Sequence, residues 1–362
     1  MAFGARLHRS CAGLVSAWCA RLPSDLFFQL FVKMDAVMKF LKHLFLAVTL
    51  VVGAGSAAFA QATDWPKKPI RMVISFPPGG ATDVLTRAIA QPLGDALGQP
   101  IVVENRPGGG GMLGLGAVAK ADPDGYTMHL SALTNQAIAQ GLLTNAPSDL
   151  RKDFVPVGLV GTSPHVLVVH PSVPAKTVPE LVAWIKAQKG NLNYASQGNG
   201  TLSHLESELM LQKIGARAVH IPYKGSSFAL PDLIAGTTLM MFDSVAASLP
   251  HIKAGKIRPI GLAATERLSL VPDVPTLIEA GVNGFDVDNW FAIYAPKGTP
   301  AAIVSKFERE LQKVLSNQEV RQRLASQGIQ LKFENASRTG SITEAEHKKW
   351  ADVIKSANIK MN

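Results

Sequence analysis

Short apolar runs alternate with amphipathic stretches along most of this chain. Ile70–Phe76 is an apolar run of strand type. Leu85, Ile89, Leu93 and Leu97 follow at four-residue spacing, the pattern of one helix face. Pro92 and Gly94 fall inside that helix, Asp83–Leu97, and predict a kink or an early end, because proline removes a backbone donor and crowds the preceding turn. The alternation continues with strand Ile101–Val103, helix Gly108–Lys120, strand Tyr126–Leu130 and helix Asn135–Leu143, with Asp122-Pro123-Asp124-Gly125 as turn chemistry. Val155–Val160 and His165–Val169 are extended segments. Thr177-Val178-Pro179-Glu180 fits a capping box and opens helix Pro179–Lys189. Strands Asn193–Ser196, Ala218–Pro222, Leu239–Phe242 and Ile257–Ala263 then alternate with helices Thr201–Ile214, Ser227–Ala235 and Ser248–Ala254. Thr299-Pro300 starts helix Ala301–Leu315, and helices Gln318–Gln327 and Glu344–Ser356 close the chain.

Repeated strand–helix units predict an α/β protein with mostly parallel sheet. A length of 362 residues fits two domains. The extended stretches at His165–Val169 and Arg258–Ala263 bracket a region that is itself a set of such units. This predicts one lobe inserted into another, with a ligand cleft between them: residues 61–165 plus 265–362 as lobe 1 and 166–264 as lobe 2. The chain then crosses between lobes near Val166–Val169 and Gly261–Ala264.

Residues 1–60 read differently. Lys39, Lys42 and His43 lead into the apolar run Leu44–Val52, and small residues follow to Ala58-Phe59-Ala60, the three parts of a secretory signal peptide. The mature chain is expected to be exported and to start near Gln61, with Met34 or Met38 as initiator and residues 1–33 as an over-extended reading frame or an unusually long n-region. The competing reading is a membrane anchor, but Leu44–Ala60 is shorter than the roughly 20 solidly apolar residues a span needs. Cys11 and Cys19, the two cysteines, both precede the cleavage site. The mature chain therefore has no disulfide framework, cysteine-ligated metal or thiol nucleophile. Hydrophobic residues are 47% and charged residues 17%, which excludes intrinsic disorder. The net charge of +9 raises the question of nucleic acid. After residue 60, however, no Lys/Arg block appears, and aromatic residues are 7% of the chain, so no nucleic acid is expected as a partner.

Several chemical motifs fail on their context. Gly109 to Gly114 contains G-x-G-x-x-G after a strand, yet the next strand ends in Ser131-Ala132 without the acid that would hold a ribose, so close packing at a helix start is the better reading. P-loop, serine-elbow and His/carboxylate metal spacings do not appear. His204 is a candidate base or a structural histidine in the first turn of its helix. The informative segments are two glycine-rich strand-to-helix turns, Phe76–Asp83 and Ser196–His204. Each puts free N–H groups and a helix N-terminus at the C-terminal edge of a sheet, where α/β folds bind ligands and anions are favoured. The alternative reading is that Thr82, Asp83, Thr201 or Ser203 cap their own helices, and Ser203 with Glu206 fits a capping box.

At these residues the sequence resembles the extracytoplasmic receptors of tripartite tricarboxylate transporters, the Bug family. The matching segments are Trp65-Pro66, Pro69-Ile70-Arg71, Phe76 to Asp83, Val102 to Gly108, Asp122 to Thr127, Ser203-His204-Leu205, Val219 to Gly225, Met241-Phe242-Asp243, Asp273 to Thr276 and Ala295 to Pro300. The resemblance implies a two-lobe periplasmic binding-protein fold, type II-like, closing on a small carboxylated solute. Its implied role is a monomeric receptor serving the membrane permease subunits of a tripartite transporter, with no enzyme activity, cofactor or metal. Carried over, the ligand-binding residues are Pro78, Gly79, Gly80 and Asp83 in the first turn, Ser196, Gly198, Gly200, Thr201 and Ser203 in the second, and Asp243 near the cleft. The sequence departs from the family's usual pattern at Ser226-Ser227 and at Ser131–Gln136, places expected to face the non-carboxylate end of the ligand. Two other functions are compatible with the scaffold: a sensor subunit signalling to a membrane kinase, and a hydrolase or lyase using Asp83, His204 or Asp243.

Overall fold

The computed structural model describes residues 64–359 apart from Thr144, Asp286 and Asp288. The N-terminal extension, the signal segment with Cys11 and Cys19, and the expected start at Gln61 lie outside the described residues. The chain runs β1 (Ile70–Ile74), α1 (Ala81–Leu97), β2 (Ile101–Asn105), α2 (Met112–Ala119), β3 (Thr127–Ala132), α3 (Leu133–Leu142), β4 (Phe154–Thr162) and β5 (His165–Val169). It continues with α4 (Val178–Ala187), β6 (Asn193–Ser196), α5 (Leu202–Ile214), β7 (Val219–Pro222), α6 (Ser226–Ile234), β8 (Met240–Ser244), α7 (Val245–Lys253) and β9 (Arg258–Ala263). The last elements are β10 (Trp290–Pro296), α8 (Ala301–Ser316), α9 (Gln318–Ala325), β11 (Gln330–Asn335) and α10 (Ala336–Ser356).

The strands form two sheets, ordered β11-β4-β10-β3-β1-β2 and β7-β6-β8-β5-β9. Each sheet is covered on both faces, which is why its central strands read as unbroken apolar runs. In β5, Leu167 and Val169 enter one core with Leu181, Tyr194 and Phe242, while Val166 and Val168 enter the other with Leu230 and Met241. The first sheet packs Met72, Ile74, Leu85, Ile89 and Phe307 on one side and Val73, Leu115, Phe154 and Tyr294 on the other.

Both sheets are mixed, where mostly parallel sheet was expected. The βα units do give parallel pairs, β1 with β2 and β3, and β6 with β7 and β8. The antiparallel pairs involve the strands next to the crossings. β5 is antiparallel to β8 and β9, and β10, the first strand after the second sheet, runs against β3 and β4. β11 pairs antiparallel with β4.

Helix α1 also departs from expectation: it runs 17 residues straight through Pro92 and Gly94. Proline withholds the N–H that would bond the Ala88 carbonyl, and the Arg323 guanidinium donates to that carbonyl instead. Gly94 serves a close approach, since a Cβ there would sit 3.2 Å from the Gln99 carbonyl oxygen. Helix α10 starts at Ala336, well before the expected Glu344, because the Asn335 side chain caps it by accepting from the Arg338 N–H at 2.8 Å. The expected box at Thr177 forms with one change of partner. Thr177 accepts from the Glu180 N–H, but the Glu180 carboxylate accepts from Lys176.

Candidate functional site

Strands β1, β6, β7 and β8 each end in a turn that opens a helix. Three of those helices bring their N-termini to one small cavity. Its walls are Phe76, Pro77 and Gly80 to Thr82 at the start of α1, Ser226 at the start of α6, Ser244 at the start of α7, Phe291 of β10, and the side chains of Asn135, Gln197 and Asn289. The enclosed space is about 20 Å³, on the scale of one water molecule. No Lys, Arg, Asp or Glu lines it. None of the three helices has a side-chain cap at its N-cap residue, Gly80, Gly225 or Ser244. First-turn N–H groups have no partner a full turn back, although in α6 that of Phe228 reaches the Gly225 carbonyl, and each end carries about half a positive charge.

In the first turn, Gly80 lines the cavity while Pro78 and Gly79 are exposed. Asp83 is buried and holds the turn. One carboxylate oxygen accepts from the Gly79 N–H at 3.1 Å, and the other accepts from Arg87 at 2.9 Å and Asn105 at 3.0 Å. The arginine and the asparagine account for a carboxylate beside an anion-favouring helix end.

In the second turn, the named side chains are bonded inside the protein. Ser196 Oγ meets His220 at 2.6 Å and accepts from the Gly198 N–H. Thr201 donates to the Gly198 carbonyl at 2.7 Å, Ser203 donates to the Phe242 carbonyl, and the Gly200 N–H reaches His204 Nδ1 at 3.3 Å. Neither Thr201 nor Ser203 caps α5. The Leu202 N–H donates instead to Asn135 Oδ1, a group from α3 beside the other sheet, at 2.8 Å. Glu206 pairs with His165 at 2.7 Å rather than closing a capping box. Burial draws the His165 pKa down, but the charge and hydrogen bond of Glu206 outweigh it and hold the ring above its usual value. Asp243 is fully buried, with Gln197 and Ser226 donating to one oxygen and Ser248 to the other.

His204 and His220 stack with ring centroids 4.1 Å apart, and burial lowers both pKa values, His220 to about 3 with His204 adding to the shift. These rings border a larger groove of about 810 Å³ with Glu208, Arg217 and residues 357–359, and they do not line the small cavity. No group of three His, Cys, Asp or Glu placed to hold a metal ion exists among the described residues.

Sequence reasoning missed Gln197, Ser244 and Asn289, and it marked Ser226 and the segment containing Asn135 only as departures from the family pattern, expected at the non-carboxylate end of the ligand. Gln197 lies inside the second turn, and Ser226 and Ser244 stand where strands give way to helices, so the rule that singled out the first turn applies to them too. Asn289 precedes β10, far along the chain, and no local signal marks it. A second groove, about 490 Å³, adjoins the cavity at Phe76 and Gln197 and runs between Gly108–Leu113 and Pro222–Lys224. Two glycines let the walls approach. A Cβ on Gly225 would lie 2.6 Å from the Pro77 ring, and one on Gly110 2.6 Å from the Asn199 carbonyl oxygen.

The family profile described as "Tripartite tricarboxylate transporter family receptor" matches residues 85–359. Protein BugT of Bordetella pertussis (strain Tohama I) is 36% identical over 312 residues, covering 86% of this chain and 96% of its own length. The periplasmic binding protein BugD has a similar structure, with TM-score 0.79 and 30% identity over 82% of this chain and 100% of that one. MatC from Rhodopseudomonas palustris, solved with bound malate, is similar at TM-score 0.77 and 32% identity, covering 80% of this chain and 100% of that one.

Proposed function

The chain belongs to the tripartite tricarboxylate transporter family of receptors, and from that premise we propose that its cleft captures a small carboxylate in the periplasm and presents it to a membrane permease. It has the two-lobe periplasmic binding-protein fold. The observation that carries the reading is the convergence of three uncapped helix N-termini on a cavity lined by three side-chain amides, three hydroxyls, apolar groups including Phe76 and Phe291, and no charged side chain. Such a site neutralises an anion with dipoles and N–H groups, each charge-assisted hydrogen bond contributing about 1.5–3 kcal/mol. The malate held by MatC is a ligand of this class.

In this reading lobe 1 is residues 61–165 plus 265–362 and lobe 2 is 166–264, with the chain crossing near Val166–Val169 and Gly261–Ala264. The lobes close on the ligand by a hinge motion. The turn Pro78–Asp83 meets the carboxylate through its backbone, with Gly80 nearest and Asp83 as its brace. The turn Ser196–Ser203 contributes Gln197, held by Asp243, on a backbone fixed by Gly198, Gly200 and Thr201. The protein acts as a monomer without cofactor or catalytic residues. A thermal-shift screen of the protein lacking residues 1–60 against mono-, di- and tricarboxylates tests this. A ligand at a hundredfold excess over its Kd stabilises the native state by about 2.7 kcal/mol. A screen with no carboxylate response refutes the reading.

A further inference from the structure

Ser244 stands out among the hydroxyls near the cavity. Those of Ser226 and Ser248 donate to Asp243, that of Ser203 to the Phe242 carbonyl, and that of Thr201 to the Gly198 carbonyl. Ser244 is 1% exposed, and its hydroxyl has no hydrogen-bond partner. A buried hydroxyl left unmatched is costly, so native proteins rarely retain one without use. Ser244 is also the N-cap residue of α7, where serine ordinarily accepts an N–H of the first turn. Here it makes no such bond, and the residue forms part of the cavity wall.

The backbone around it agrees. The Val245 N–H is taken by the Pro164 carbonyl at 2.9 Å, which leaves Ala246 and Ala247 as first-turn donors behind the hydroxyl. Neighbouring Asp243 already receives three donors, so Ser244 is not needed to satisfy it. The α5 terminus, expected from the sequence to be the anion site of the second lobe, gives its Leu202 N–H to Asn135.

We propose that Ser244 is a ligand-contacting residue, its hydroxyl donating to a carboxylate oxygen of the solute in front of the α7 N-terminus. This rests on the receptor reading and identifies the end of α7 as the anion-holding element of lobe 2. A carboxylate there gains a hydroxyl donor and a helix dipole together, facing the α1 terminus across the cavity.

Calorimetry with acetate, malate, adipate and citrate on the wild-type protein, Ser244→Ala and Ser244→Cys tests the assignment. The expected result is binding of at least one acid to wild type and at least tenfold weaker binding to both variants, with unliganded melting temperatures unchanged. Binding of the variants within twofold of wild type overturns the Ser244 assignment and leaves the receptor reading standing. Failure of wild type to bind any of the four overturns both. If the variants do not fold, a crystal structure of wild type with its tightest acid decides. Ser244 Oγ within about 3 Å of a carboxylate oxygen supports the assignment, and a carboxylate held with Ser244 unengaged overturns it.

Discussion

Gly110→Ala tests whether ligand binding requires the lobes to meet as they do here. The added Cβ would lie 2.6 Å from the Asn199 carbonyl oxygen, well inside ordinary contact at about 3.5 Å. The carbonyl cannot easily retreat. On either side of it, the Gly198 N–H is bonded to Ser196 and the Gly200 N–H to His204. Relief must come from parting the lobes by nearly an ångström. Overpacking of this kind costs about 1–3 kcal/mol, and here it falls on the arrangement in which Gly110 and Asn199 meet. At about 1.4 kcal/mol per tenfold, the Kd should rise roughly 5- to 150-fold. A second effect must be separated from the first: Gly110 has φ 62°, a left-handed conformation that costs an L-residue about 1–2 kcal/mol. That penalty lowers stability without favouring open over closed. Gly109→Ala isolates it, because Gly109 has φ 58° and its Cβ would meet nothing nearer than Leu113 Cγ at 3.8 Å. Both variants should melt a few degrees lower. Only Gly110→Ala should lose affinity by calorimetry and show a smaller ligand-induced fall in radius of gyration by small-angle scattering. Equal affinity and equal compaction of the two variants would refute the reasoning.

Asp83→Ala removes the acceptor shared by the Gly79 N–H, Arg87 and Asn105, and should cost about 2–4 kcal/mol in urea unfolding; a loss below about 0.5 kcal/mol contradicts the bracing role. His129 is completely buried, and burial lowers its pKa to about 4 against the opposing bonds from Val73 and Gln136. The unfolded chain therefore takes up this proton first. The stability it contributes is full above pH 6.5 and falls away down to about pH 4, by on the order of 3 kcal/mol. His129→Gln should flatten the dependence of urea midpoints on pH across that window by up to one proton, and an unchanged slope rules the source out. N-terminal sequencing of the exported protein should begin at Gln61; retention of Leu44–Val52 in a membrane fraction would show an anchor instead.

The elements that depend on local pattern were legible in the sequence. The two glycine turns, the βα units and the cap at Thr177 are set by residues within a few positions of one another. What was hidden depends on partners far along the chain. Pro92 signals a break unless Arg323 is known to satisfy the freed carbonyl. The direction of β10 is fixed by the return from the second sheet, which no alternation of residues records. The cavity divides the same way. Gly80 and the first turn could be read from spacing, whereas Asn135 and Asn289 reach the site only through the packing of α3 and β10. The hydroxyls of Thr201 and Ser203 were assigned a ligand role from the family resemblance and their place in a glycine-rich turn, and the structure gives each an internal acceptor.

The bond from the Leu202 N–H to Asn135 has a consequence for transport economy. Its donor opens α5 beside the second sheet and its acceptor lies on α3 beside the first, so under the proposed hinge closure it would form as the lobes shut. A net gain of about 0.5–1.5 kcal/mol multiplies the shut population roughly 2- to 13-fold. In the proposed transport role, shut but empty receptors would then compete with loaded ones for the permease. In that role the side chain at position 135 would set an idle rate: a stronger bond would tighten capture of scarce solute, and a weaker one would reduce empty docking when solute is plentiful.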